Sequence, residues 1–275
     1  MKRIFKYTFL QRLPNIILHC AIMACMSGVE LVLLLLTHDV SNGFYHLWFS
    51  FTVIALAVIP LSSFVRCSSG YARSLLFTDE SYLMLTLPVR TEWILLGRIL
   101  CGLFELCIYI LTSLLLFAVV MPFWIIHYMG FHFQDLFQLD LGLINTILVK
   151  NIPGYIVLLF LFIAGFILIG NIMLAIQTFL RSFNIRRMRA LWTVGSILLF
   201  MSIISFIGKV ETQIGAALGD YCSINVYGIT YQDTLLQMHP STAVHIPVVS
   251  IMLSIGLGIG CFFISVWLFK KKVEV

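Results

Sequence analysis

Residues 93–126 read WILLGRILCGLFELCIYILTSLLLFAVVMPFWII and contain only two charged side chains, Arg98 and Glu105. Roughly 20 apolar residues already cross a hydrocarbon core about 30 Å thick, so this run must tilt, bend near Pro122 or protrude at one end. The whole chain of 275 residues is also strongly apolar, with 61% hydrophobic and 11% charged residues. Soluble domains average roughly 25% charged residues, so we exclude that class and predict an all-α membrane protein.

Five further apolar runs have comparable length, and the polar segments between them are short. We therefore expect a single transmembrane domain over residues 1–275 with six transmembrane helices. They are predicted near residues 13–36, 45–65, 93–126, 152–180, 190–208 and 246–269. No stretch is long enough for a separate soluble catalytic domain.

The basic residues predict the orientation of these helices. All but two of the 17 lysines and arginines fall in alternate connecting segments and in the two ends of the chain; Lys150 and Lys209 are the exceptions. Lysine and arginine are enriched on the cytoplasmic side of membrane proteins. We therefore expect both termini in the cytoplasm, and we interpret the net charge of +5 as a topology signal rather than as nucleic-acid binding.

Three loops are then expected on the outer face, near residues 37–44, 127–151 and 209–245. The last of these is the longest. Its segments 212–219 and 231–238 mix apolar and polar positions, which fits either short interfacial helices or a solvated loop.

Motifs for familiar chemistry are absent from the sequence. It has no G-x-x-x-x-G-K-[ST], H-E-x-x-H or G-x-S-x-G pattern, and its histidines are irregularly spaced. Its seven cysteines form no C-x-x-C pair and lie mostly in apolar runs, as expected for small core residues. We assign no catalytic residue, no metal site and no cofactor to this chain.

Three charged residues lie within predicted spans: Glu30, Arg98 and Glu105. Inserting such a charged side chain into the membrane costs at least about 2.5–3.5 kcal/mol, so we expect each of the three to have a structural or functional role. Arg98 lies near the inner end of its helix, where it can extend to the headgroups as an interface anchor. Glu105 lies near the middle and is expected to face a partner helix or a cavity. It serves either as a hydrogen-bonding residue between helices or as part of a translocation path.

The sixth predicted span contains Gly256-x-x-x-Gly260. Glycines four apart share a helix face and permit close approach of another helix, so we expect tight helix packing at Gly256 and Gly260.

The cytoplasmic segment 66–92 is the most specific stretch. Thr78 or Asp79 can cap a short helix, with Glu80 near its positive end, and residues 81–87 offer an apolar face that ends at Pro88. A short amphipathic helix between two spans suits docking of a soluble subunit. It would also suit a helix that lies on the bilayer surface.

The pattern Asp79-Glu80-Ser-Tyr82-Leu83-x-x-x-Leu87-Pro88-Val89, followed by Leu96-Gly97-Arg98, resembles the permease subunits of bacterial ATP-binding cassette exporters of the second class, or type V exporters. That resemblance implies six spans, an interfacial connecting helix over residues 1–12 and a cytoplasmic coupling helix between the second and third spans. It also implies ATPase-coupling roles in this segment, for Phe77, Asp79, Glu80, Tyr82, Leu83, Leu87 and Pro88.

By the same resemblance, the chain is the permease subunit of an exporter in the bacterial cell membrane. Its partners would be ATPase subunits that bind ATP and Mg, a second copy or a sister permease, and membrane lipids. The exported substrates would be peptides or antimicrobial compounds. Two alternatives work without an ATPase partner: a secondary transporter, which would use intramembrane charges such as Glu105, and an intramembrane enzyme, which needs paired catalytic groups within the bilayer.

Overall fold

The computed structural model describes residues 2–36, 43–77, 89–129, 146, 149–182, 189–218, 223–232 and 235–273. This part of the chain is mostly helical. Five of its helices are long and apolar enough to cross a membrane, which makes the protein a multi-pass membrane protein. Helices suit this environment because their backbone hydrogen bonds are all made within one segment. The chain divides into two compact units, residues 1–139 and 140–275.

The described residues of the first unit form four helices: α1 (Lys2–Leu36), α2 (Gly43–Ser68), the short α3 (Ala72–Phe77) and α4 (Thr91–Met129). Helix α4 packs against both α1 and α2, and α1 also touches α2. One hydrophobic cluster between these helices contains Ile16 and Met23 from α1, Leu56 from α2 and Tyr109 from α4. This arrangement puts one face of α4 in contact with the two preceding long helices.

Helix α1 is continuous through the boundary expected at residues 12–13. It has 35 residues, which corresponds to about 52 Å at 1.5 Å per residue, and it includes Pro14. The connecting helix expected over residues 1–12 is therefore the first part of a longer helix, whose candidate spanning region is Ile4–Leu34.

A close crossing joins α2 to α4. A Cβ atom added at Gly102 would lie only 2.0 Å from the carbonyl oxygen of Cys67, so only glycine permits this approach. Farther along the same pair, the Ser113 hydroxyl donates to the carbonyl of Leu56 at 2.7 Å. The two contacts fix how these helices lie against each other.

The second unit contains α5 (Ile152–Ser182), α6 (Arg189–Leu218), a β-hairpin and α7 (Val248–Leu268), which continues as a π-helical turn (Phe269–Val273). Helix α7 packs mainly on α5 and also on α6. Helix α6 covers the span predicted at 190–208, but it is not among the five helices above, so a sixth span stays a prediction.

The hairpin pairs β1 (Ser223–Gln232) with β2 (Leu235–His245) in antiparallel register, with a bulge between Asn225 and Tyr227. The short helix considered for residues 231–238 is therefore wrong. Residues 212–218 are helical, but as the end of α6 rather than as a separate helix. Residues 224–231 are rich in β-branched and aromatic side chains, which favour a strand, and pairing with β2 outweighs the weak helical pattern.

Close helix contact in α7 occurs at Gly258 rather than at Gly256 and Gly260. A Cβ at Gly258 would lie 2.7 Å from Cγ2 of Ile167 and 2.9 Å from its carbonyl oxygen. At Gly256 and Gly260 it would meet no described atom within 4 Å. The expectation for those two glycines is thus corrected within the described chain: Gly258, between them in sequence, faces α5.

Candidate functional site

The first unit is organised around the carboxylate of Glu105 in α4, which is fully buried. Arg12 of α1 donates to both of its oxygens, from Nε to Oε2 and from Nη2 to Oε1, each at 3.2 Å. Arg66 of α2 donates to Oε1 at 3.3 Å. Tyr71 donates to Oε2 at 2.6 Å, and Tyr109 donates to Oε1 at 3.0 Å. We call these five residues the Glu105 cluster.

Helical spacing and guanidinium geometry explain part of this arrangement. Tyr109 follows Glu105 by four residues and so lies on the same face of α4. The two bonds from Arg12 form the forked, bidentate pairing that suits a planar guanidinium and a carboxylate. Because each hydrogen-bond partner of Glu105 among the described residues is a donor, the surroundings match an ionised carboxylate. One side chain thereby joins α1, α2 and α4 to the segment that follows α2.

Tyr71 reaches Glu105 through an unusual turn at the end of α2. Gly70 donates to the carbonyl of Cys67 at 3.0 Å, and Tyr71 donates to that of Arg66 at 3.2 Å, which is the Schellman pattern of a helix C-terminus. Gly70 takes the left-handed conformation with φ of 58°, and Tyr71 also does, with φ of 56°. A bulky residue in this region is strained, and its hydroxyl bond to Glu105 helps to hold it there.

Two cations flank the Tyr71 ring. The guanidinium carbon of Arg12 lies 4.8 Å from the ring centroid, and that of Arg98 lies 6.0 Å from it, at the outer limit of a cation–π contact. Burial raises the pKa of the Tyr71 phenol above its ordinary value, and the nearby Cys67 thiol and Glu105 carboxylate add to this effect. The phenol therefore keeps its proton and remains a donor to Glu105.

Arg98 also bonds to this turn. It is buried, and it donates from Nε to the carbonyl of Gly70 at 3.1 Å and from Nη2 to the hydroxyl of Ser74 at 2.6 Å. These bonds tie α4 to the α2–α3 turn and to α3 itself. Within the described residues these bonds give Arg98 a structural role, and its expected role as an interface anchor stays a prediction.

The remaining predicted residues are distributed as follows. Glu30 is fully buried in α1. Phe77 is the last residue of α3, and nothing is described of its side chain. The other predicted coupling residues lie outside the described residues: Asp79, Glu80, Tyr82, Leu83, Leu87 and Pro88.

Sequence reasoning missed four members of the Glu105 cluster. Arg12 and Arg66 were counted only as basic residues that indicate orientation, although both are within apolar runs or at their ends. Tyr109 could have been found, since its spacing of four from a buried glutamate is typical of a hydrogen-bonded pair. Tyr71 offers no such signal, because its role depends on the turn that follows α2.

A second polar group lies in the other unit, at the start of α7. Glu211 near the end of α6 accepts from the backbone of Ser250 at 2.5 Å, and its other oxygen lies 3.0 Å from Nε2 of His245. Burial acts to raise the pKa of Glu211, but the bonds from Ser250 and His245 outweigh it and hold the pKa below its ordinary value. Glu211 thus caps α7 and fastens the end of β2.

The same unit contains an apolar cavity of about 270 Å³ between α5, α6 and α7. Gly165 and Gly208 line it, and neither would bring a Cβ within 4 Å of another atom, so the missing side chains help to leave this space open. Ser250 and Ser254 supply polar atoms to its lining.

The described residues contain no group of three or more His, Cys, Asp or Glu side chains placed to hold a metal ion. Comparison with known proteins gives no family assignment either: no family model, curated protein or solved structure matches the chain. The geometry of the two polar groups is therefore the basis for a functional proposal.

Proposed function

We propose that this chain is the membrane-spanning permease subunit of an ATP-driven exporter, in which the segment after α3 docks on a separate ATPase subunit. The observation that carries this proposal is the attachment of that segment's start to the membrane helices. Tyr71 and Arg98 fix the α2–α3 turn, and the buried Glu105 joins the turn to α1, α2 and α4.

The attachment has the features that a mechanical link requires. Leu75 and Leu76 of α3 are both about 1% exposed, so this short helix is packed in the unit rather than lying free. It leads directly into residues 78–88, whose sequence suits a docking helix. A displacement of that segment would pull on Tyr71 and Arg98, and through them on Glu105.

In the proposed cycle, ATP binding draws two ATPase subunits together, and the docked segments of two permeases move with them. The Glu105 cluster passes this movement to three membrane helices at once. A second copy of this chain or a sister permease completes the transporter. By resemblance to type V exporters, peptides or antimicrobial compounds are the proposed substrates, and the cytoplasmic side of a bacterial cell membrane is the proposed location of both termini.

A charge-reversal experiment tests the docking assignment. The tagged chain is purified in mild detergent from its native host, and the amount of any ATPase subunit per permease is measured by mass spectrometry. Asp79→Lys with Glu80→Lys is expected to lower that ratio at least tenfold. The matched control is Asp135→Lys with Asp140→Lys, which makes the same charge change in a loop predicted on the opposite side.

The docking assignment fails if the two double variants retain the same amount of ATPase. A loss in both variants would point to general damage by the charge change. Thermal melting of each purified permease separates this outcome, because a variant that has lost only its partner keeps the wild-type melting temperature.

A further inference from the structure

The charges of the Glu105 cluster do not balance. Arg12 and Arg66 share the single carboxylate of Glu105, which leaves one positive charge at the end of α2. Charged groups taken out of water are normally paired, and this excess lies partly within the protein. One more anion would therefore neutralise the net positive charge of the Glu105 cluster.

Arg66 is the member of the cluster that an external anion can reach. Its side chain is 41% exposed, whereas that of Arg12 is 18% exposed. In the described residues, its hydrogen bonds to Glu105 and Ser63 both use Nη2, the latter at 3.5 Å. A guanidinium has five N–H donors, so its Nε and Nη1 atoms, which make no hydrogen bond to a described residue, can bind an oxyanion.

An apolar ridge on α2 ends one residue before Arg66. Ile54, Val58, Leu61 and Val65 follow one another at helical spacing and are all exposed, with Leu61 reaching 72%. They cover 11 residues of rise, or about 16 Å, which equals the depth of one leaflet of a hydrocarbon core roughly 30 Å thick. The ridge therefore has the length and polarity of an acyl chain.

We propose that Arg66 binds the phosphate of an anionic phospholipid, whose acyl chain lies along the ridge formed by Ile54, Val58, Leu61 and Val65. A lipid fits these observations better than a free anion does, because the ridge runs along a candidate membrane-spanning helix that carries Arg66 near its end. The headgroup supplies the negative charge that the Glu105 cluster lacks. This site is independent of any ATPase partner.

Native mass spectrometry of the purified chain tests the site. Detergent-solubilised protein is titrated with phosphatidylglycerol or with phosphatidylcholine of the same chain length, and bound lipid is counted. One basic residue near an anionic lipid changes its affinity about fivefold. Arg66→Gln is expected to weaken phosphatidylglycerol binding by about that factor, and Arg66→Lys is expected to retain most of it. The matched control, Arg90→Gln, removes an exposed arginine outside the cluster and should bind as the wild type does.

A second pair of variants tests the ridge and avoids disturbing Glu105. Leu61→Gln should weaken phosphatidylglycerol binding, whereas Leu111→Gln, at a position on α4 that is also well exposed, should not. The proposal would be overturned if Arg66→Gln and Arg90→Gln bound phosphatidylglycerol equally well. It would also be overturned if the wild-type chain bound phosphatidylglycerol and phosphatidylcholine equally well. Displacement by inorganic phosphate, together with normal binding by Leu61→Gln, would indicate a free anion instead. A dimer that Leu61→Gln dissociates, with no lipid bound, would assign the ridge to a second copy.

Discussion

Replacing Glu105 with glutamine should destabilise the first unit more than any other single isosteric change in α4. The carboxylate is fully buried and accepts five hydrogen bonds, three of them from guanidinium groups. Glutamine keeps the size of the side chain but turns one acceptor oxygen into a donor NH₂ group. Its amide would then face donors on Arg12, Arg66, Tyr71 or Tyr109.

The size of the expected loss in the free energy of unfolding follows from how exposed Arg12 and Arg66 are. Breaking a buried ion pair by removing one partner costs about 3–5 kcal/mol, because the other charge stays buried. Arg12 is largely buried and should incur that cost, whereas the half-exposed Arg66 is screened by solvent and adds little. We therefore expect Glu105→Gln to lower the free energy of unfolding by about 3 kcal/mol, or roughly a hundredfold in the folded-to-unfolded ratio.

Reversible unfolding in mixed micelles, followed by tryptophan fluorescence, measures this change. Cys107→Ser is the control, since Cys107 is exposed two residues along the same helix. In a double-mutant cycle, Glu105→Gln with Arg12→Gln should cost less than the sum of the two single changes, by about 1–3 kcal/mol. A loss of less than about 0.5 kcal/mol for Glu105→Gln, or strictly additive costs, would refute the ion-paired cluster.

Three further predictions concern the second unit. Gly258→Ala should lower the melting temperature, with a cost of about 1–3 kcal/mol from the clash with Ile167, whereas Gly256→Ala should not. Asn151→Ala removes two bonds to the backbone of Tyr227, at 2.8 and 2.9 Å, so hydrogen exchange should show faster opening of the hairpin. The pKa of Glu211 is held below its ordinary 4.5, so the melting temperature should fall as the pH drops through and below that value, and Glu211→Gln should flatten this dependence.

The long helices could be predicted from hydropathy alone, because an apolar run of spanning length has few other stable structures in a membrane. The starts and ends of α2, α4 and α5 lie within about three residues of the predictions, which is the usual uncertainty of helix boundaries. The hairpin was not predicted, since each of its strands is stabilised by pairing with the other, and the mixed apolar and polar pattern of these residues does not reveal that pairing.

The Glu105 cluster was only partly predictable, because most of its members are distant from one another in sequence. Glu105 is conspicuous because a carboxylate in an apolar run is costly, but its partners come from residues 12, 66 and 71, far away in sequence. The choice of Gly258 over Gly256 also depends on how α7 is rotated against α5, which the spacing of glycines leaves undetermined. Long-range contact therefore decides which of the conspicuous residues act together.

The central claim, that this chain works with a separate ATPase, is tested most directly by capturing the wild-type protein from its native host in mild detergent. The eluate is analysed by mass spectrometry and assayed for ATP hydrolysis. The exporter proposal predicts an ATPase subunit in fixed stoichiometry with the permease, together with ATP hydrolysis that follows this complex through a second purification step. A chain that is repeatedly recovered alone, without ATPase activity, would contradict it and favour a secondary transporter or an intramembrane enzyme.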